Sequence, residues 1–288
     1  MSTFNINRFG QALKCHFLVE RHTWIRLFGI FTLVLFMANL FFTRVANTNY
    51  QVLAENWKGE ELYHSYRHIV EQTSVFAAIF FCFAMLIGAS LMFRQMKDTR
   101  KRSAYLLWPV SNLEKYIVSF LHSFVLMFFL TIASIVVADA LRVFIDWLTG
   151  RVIIWAFTIP FESINNPNSV AGDWQVVWMF FTWAFYFHSL YIVGGTLFRR
   201  QQFLFTSGTI VVVGILLIMI MNQIDWNSIH FDFITGNWDE KTQTYTNIFH
   251  PAFYIINSAM MLLVAFHYWA SYKLFTRMQV INNKWLNV

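Results

Sequence analysis

Arg94–Lys115, RQMKDTRKRSAYLLWPVSNLEK, is the stretch on which the fold turns. It carries six of the chain's 21 Lys and Arg residues and lies between two long apolar runs. Pro109 biases Trp108 away from helix, so the chain turns there. Ser111 then stands as an N-cap, with Glu114 three residues later to close a capping box. The stretch reads as a charged, kinked elbow that delivers the chain back into an apolar phase. Which side of a membrane the elbow occupies decides the rest of the topology.

The membrane itself follows from composition. Of 288 residues, 57% are hydrophobic and only 12% charged, about half the charged share of a soluble domain. The mean hydropathy is +0.48. A soluble protein this apolar could not cover its own surface with polar groups. The net charge of +6 does not imply nucleic acid, because the basic residues fall in loops beside apolar spans and not on a groove-reading motif. Cys15 precedes the first span and Cys82 lies inside the second. Their different depths argue against a disulfide, and neither has zinc-ligand spacing. The first apolar run begins near Ile25 without a small-residue cleavage pattern, so it is read as an anchor and not as a signal peptide.

Taken in order, residues 1–24 place Phe9, Leu13 and Phe17 at four-residue spacing, with Arg8, Gln11, Lys14 and Arg21 on other faces. That pattern predicts an amphipathic helix in the membrane interface. The remainder, 25–288, reads as one transmembrane domain. Its expected spans are 25–42, 73–93, 116–138, 174–198, 203–221 and 251–272, each near the required 17–25 residues. Trp24, Trp108, Trp174 and Trp226 fall near span ends, as an aromatic belt requires. Val152–Phe161 is apolar but too short to span and contains Pro160. It reads as an external amphipathic piece that dips toward the bilayer. The expected fold is all-α, polytopic, with six transmembrane helices.

Orientation comes from Lys and Arg in the loops. With the N-terminus cytosolic, 15 basic residues lie inside and 6 outside, while 3 acids lie inside and 12 outside. The bias has the same sense at every loop. Both termini are therefore expected in the cytosol.

The chemistry is sparse. No glycine is followed by lysine, which removes the nucleotide-binding loop, and zinc-protease and nucleophile-elbow motifs are missing. His64 and His68 share a face if GEELYHSYRHIVEQ is helical, but two histidines alone rarely complete a metal site. His122, His188 and His267 lie inside expected spans. Ionisable groups there are functional candidates by default. Interhelical hydrogen bonding by neutral imidazole is the simpler role, since no intramembrane carboxylate accompanies them as a proton relay. Gly88-Ala89-Ser90 and Gly194-Gly195 allow close helix approach. On the elbow, Arg100, Lys101, Tyr105 and Trp108 are of the residue types that anchor interfaces.

Two patches resemble bacterial ABC transporter permeases of the ABC type-2 class. One is the aromatic/Pro turn with Ser111-Asn112-Leu113-Glu114-Lys115 after the second span. The other is Gly194-Gly195-Thr196-Leu197-Phe198-Arg199-Arg200, running on to Phe203 and Thr206. The order of elements, an amphipathic N-terminal helix and six spans with a basic loop after the second, is similar too. The resemblance implies a half-transporter in the bacterial inner membrane, pairing with a like subunit as a homodimer or heterodimer. Two separate cytosolic ATPase subunits would bind beneath it and hold ATP and Mg, so this chain would bind no cofactor and need no catalytic residue. The coupling helix of such permeases maps to about Asp98–Leu107, with Ser111, Glu114 and Lys115 completing the loop. The polar stretch Asn222–His250 departs from large-lipid exporters, which carry apolar re-entrant helices there. A scaffold or sensor signalling through the same loop, and an intramembrane enzyme using the three histidines, are the competing classes.

Overall fold

A computed structural model describes residues 4–46, 50, 54–55, 57–96, 99–165, 174–198, 201–223, 234–239 and 244–277. Six helical segments are long and apolar enough to cross a membrane: Ile6–Val45, Glu60–Leu91, Asn112–Leu148, Trp174–Leu197, Gln202–Ile220 and Pro251–Thr276. The chain is a helical, multi-pass membrane protein. No seventh such helix exists among the described residues, so Val152–Phe161 does not span.

Helix α1 covers Ile6–Leu40 and runs into a π turn, Phe41–Val45. The expected break between an interfacial helix and a first span is therefore not there. Residues 6–40 contain no proline, and nothing else forces the chain to turn. The packed stripe also differs from the expected one. Ala12, His16, Trp24, Phe31, Leu35 and Asn39 are buried, at multiples of about four residues, whereas Phe17 is exposed. Trp24 is among these packed residues.

Helix α2 covers Glu60–Leu91, thirteen residues ahead of the expected span start at 73. Gly59, at φ +64, supplies the left-handed turn before it, and Glu60 and Glu61 complement the helix dipole. The elbow helix α3 is Thr99–Leu106. Next comes α4, Asn112–Leu121, which passes through a π turn at His122–Leu126 into α5, Met127–Leu148. The third span therefore extends ten residues beyond the expected end at 138. Asp139, Arg142 and Asp146 continue the helix on one face at i, i+3 and i+4 spacings, where opposite charges support a helix. Gly150, at φ +66, ends it: Gly150 N–H donates to the Trp147 carbonyl and Arg151 N–H to that of Asp146.

A short helix α6, Ile159–Asn165, follows, with Pro160 in its first turn where a missing N–H costs nothing. Helices α7, Trp174–Leu197, α8, Gln202–Met221, and α9, Pro251–Thr276, match the fourth to sixth expected spans. Between α8 and α9 the otherwise all-α fold carries one antiparallel hairpin. Strand β1, Ile234–Asp239, pairs with β2, Thr244–Phe249, in the register Ile234↔Phe249 to Asp239↔Thr244. Thr, Tyr, Trp and Ile make these polar-looking segments good strand formers.

The chain divides into two compact units. The first contains Met1–Leu13, Leu86–Phe124 and Asn166–Val288. Its core joins Ala89, Met92 and Phe93 to Tyr105, Tyr116, Tyr191, Ile192 and Phe275. Here α7 and α9 run in the same direction, since Trp174 meets Tyr254 and His188 meets Tyr268. A Cβ on Gly194 would lie 1.9 Å from Thr206 Oγ1, so only glycine lets α7 and α8 approach at this point. The second unit contains Lys14–Met85 and Val125–Asn165. Its core gathers Tyr50, Tyr66, Ile69, Val70, Ile154, Ala156 and Ile159.

Candidate functional site

The elbow is built from its cap outward. Ser111 is extended, at φ −65 and ψ 155, and its Oγ accepts from Glu114 N–H while Glu114 Oε2 accepts from Ser111 N–H at 2.7 Å. The capping box read from the sequence is therefore present. Glu114 does more than cap α4. Its Oε1 accepts from Asn5 N–H at 2.7 Å, at the start of α1. Arg8 lays its guanidinium fork on the same carboxylate, with Nε 3.0 Å from Oε2 and Nη2 2.8 Å from Oε1. The Glu114 side chain is fully buried. One carboxylate thus joins the first turns of two helices 109 residues apart in sequence. A buried carboxylate is tolerable only with this many donors.

Helix α3 turns one face in and one out. Tyr105 points inward and is buried. Its hydroxyl donates to the Lys115 carbonyl and shares a 2.7 Å hydrogen bond with Ser119 Oγ. Its ring sits against Trp108 and Phe275, and Phe93 stacks on Phe275 at 5.2 Å. Burial raises the Tyr105 phenol well above its ordinary pKa. Lys115 and Arg102 are buried as well. Tyr105 therefore does not face outward toward a partner, contrary to the sequence expectation. Tyr105 is a wedge that ties the elbow to the ends of α2, α4 and α9. The outward face carries Lys101 and Ala104, then Leu107 at 77% exposure, Pro109, and Leu113 at 42%. Trp108 is half-buried between the two faces. The side chain of Arg100 lies outside the described residues, as do Lys97, Asp98, Arg199, Arg200 and Lys284.

His188 and His267 occupy neighbouring positions on the seam between α7 and α9. His188 Nδ1 lies 2.9 Å from the Tyr268 hydroxyl, and His267 Nδ1 lies 3.0 Å from Ser189 Oγ. Each pair bridges α7 and α9, which is the interhelical role expected for neutral imidazole. His188 is further enclosed by the rings of Phe120 and Phe124. His122 is buried. His64 and His68 are on helix and exposed; His68 Nδ1 contacts Glu71 at 3.0 Å. No group of three metal-ligating side chains occurs among the described residues.

One cluster escaped the sequence reading. In the second unit Arg142 is fully buried and bonds Asp139 Oδ1 through Nε and Nη2, Asp146 Oδ2 through Nη1, and the Ile154 carbonyl. Asp146 also accepts from Arg44 Nη2 at 2.7 Å and from the Tyr66 hydroxyl at 2.9 Å. The remaining Asp139 oxygen accepts from Phe157 N–H. These bonds hold the apolar segment after α5 through its own backbone. The D-x-x-R-x-x-x-D spacing followed by a glycine cap was the available signal. Nearby, Glu162 accepts from Arg67 Nη2 at 2.6 Å, which holds its carboxyl below the usual carboxylate range.

No protein-family model matches this chain, and neither any curated protein nor any solved structure matches it significantly.

Proposed function

We propose that this chain is the membrane-spanning subunit of an ATP-driven ABC exporter, with ATP hydrolysed by separate cytosolic subunits that dock on the elbow. The single observation that carries the reading is the construction of that elbow. A loop that only set topology would need basic residues and little else. This one is capped and clamped to the N-terminal helix by Glu114, and wedged by Tyr105 against the ends of three helices. A push on its outer face would be transmitted as a rigid displacement, because packed interfaces shift between discrete arrangements. Lys101, Leu107, Pro109 and Leu113 form the face available to a partner, an apolar knob beside a cation. Of the four residues expected to face a partner, Arg100 and Lys101 are the ones proposed for docking, half-buried Trp108 flanks them, and buried Tyr105 becomes a positioning residue together with Ser111, Glu114 and Lys115 of the same loop.

In this reading both termini and the elbow are cytosolic, the membrane is the bacterial inner membrane, and two such subunits pair. The loop count of Lys and Arg supports the orientation. The chain itself binds no nucleotide, and its part in the cycle is mechanical.

The test is charge reversal of Arg100→Glu with Lys101→Glu, together with Leu107→Ala in a separate variant. Each should insert and fold as wild type, judged by a melting profile in detergent, while retaining less ATPase subunit through purification. Undiminished retention in both variants would remove the docking assignment.

A further inference from the structure

The chain between α5 and α6 is irregular, yet its backbone takes partners from buried side chains. Val152 N–H donates to the Tyr50 hydroxyl, and the Ile154 carbonyl accepts from the buried Arg142. Phe157 N–H donates to the buried Asp139. A loop in water needs no such partners, because water supplies them. Irregular backbone at membrane depth does need them, because lipid supplies none.

Two helices of the same unit mark that depth. On α2 the exposed apolar positions Val75, Ile79 and Phe83 follow at four-residue spacing. The segment packs just before them, through Ile154, Ala156 and Ile159 gathered with Tyr66, Ile69 and Val70. Ile69 and Val70 precede Val75 by one and a half turns, about 8 Å of helix. The polar zone of one leaflet is about 5–8 Å thick, so this contact lies in the interface. On α1 the exposed apolar positions run to Phe41 and Val45, and Arg151 Nη1 donates to the Thr43 carbonyl between them. The segment therefore starts at the same boundary.

At this depth it has two sides. Ile154 and Ala156 turn in toward the core, while Ile153 and Trp155 alternate with them and are exposed. Phe161, also exposed, stands in the first turn of α6 with its ring against Phe157. Large apolar side chains turned away from the packed helices at this level suit the membrane interface, and Trp is enriched there.

We infer that residues 153–161 form an interfacial membrane anchor. Ile153, Trp155 and Phe161 insert among the headgroups and upper acyl chains of the leaflet in which α1 ends and α2 begins. The buried Arg142 and Asp139 serve it by holding the backbone that carries these side chains. The anchor depends on neither the elbow nor its partner.

Site-directed spin labelling of the full chain tests this. In a background with Cys15→Ser and Cys82→Ser, one nitroxide is placed by Ile153→Cys, Trp155→Cys or Phe161→Cys. Each protein is reconstituted in vesicles of phosphatidylethanolamine and phosphatidylglycerol. Relaxation by oxygen, which concentrates in the bilayer, is compared with relaxation by a water-soluble nickel chelate. Ile79→Cys, on the exposed apolar face of α2, gives the lipid reference, and His64→Cys, exposed three turns before Val75, the aqueous one. The oxygen-to-nickel ratio at 153, 155 and 161 should lie between the two references and well above that at 64. If Trp155→Cys does not fold, positions 153 and 161 carry the same test. Ratios equal to that at 64 would place the segment in water and overturn the anchor. Low access to both reagents would overturn it in favour of a protein surface covering the segment.

Discussion

Glu114 is the residue on which the elbow depends. Its neighbours supply backbone N–H groups from Asn5 and Ser111 and the fork of Arg8. Ser111→Ala should cost about 1 kcal/mol, the usual loss for an N-cap. Glu114→Ala should lower the melting temperature more than Ser111→Ala, because it frees donors at two helix starts at once. The double variant with Arg8→Ala should add little further, which is the signature of a coupled pair in a double-mutant cycle. Arg142 is the corresponding residue of the second unit. Arg142→Leu leaves Asp139 and Asp146 buried with less compensation and should destabilise by about 3–5 kcal/mol. Replacing Asp139 by Asn in the same chain should recover part of that loss. The two sites differ in legibility. The Ser111/Glu114 box is local, four residues long, and could be read directly. The Arg8 and Asn5 contacts to Glu114 join positions more than a hundred apart, and no spacing rule reaches that far.

At the scale of elements, α7 and α8 meet where Gly194 faces Thr206. Gly194→Ala should cost about 1–3 kcal/mol by overpacking, measured as a fall in melting temperature, and Thr206→Gly should restore much of it. The close approach at Gly194-Gly195 was legible because small residues within a span have few other uses. Helix ends were harder. Charged residues were read as loop, yet α2 begins at Glu60 and α5 continues past Asp139. Along α5 the charges pair on one face, and at the start of α2 Glu60 and Glu61 complement the helix dipole, so both sets belong to helix. The glycines at 59 and 150 marked the true boundaries through their left-handed turns. Tyr105 was misassigned for a related reason. An aromatic residue on a short basic helix suits an outward interface or an inward wedge equally well, and only the packing against Phe275 and Ser119 separates them.

For the whole molecule, six spans were evident from hydropathy and length, and the structure has six such helices. The hairpin between α8 and α9 was not evident, because a two-stranded pairing depends on register and not on overall polarity. A membrane fold of this kind serves many activities, so function must come from the site. The elbow joins a clamp at Glu114, a wedge at Tyr105 and an outward knob at Leu107 and Leu113, and that combination makes mechanical coupling to a cytosolic motor the reading developed above. The most direct measurement is affinity purification of the tagged chain from its native membrane in mild detergent, with and without cross-linking, and identification of what accompanies it. The account predicts a stoichiometric ATPase subunit, lost on charge reversal at residues 100 and 101. A preparation free of any ATPase after cross-linking would contradict it and would favour a scaffold or sensor that signals through the same elbow.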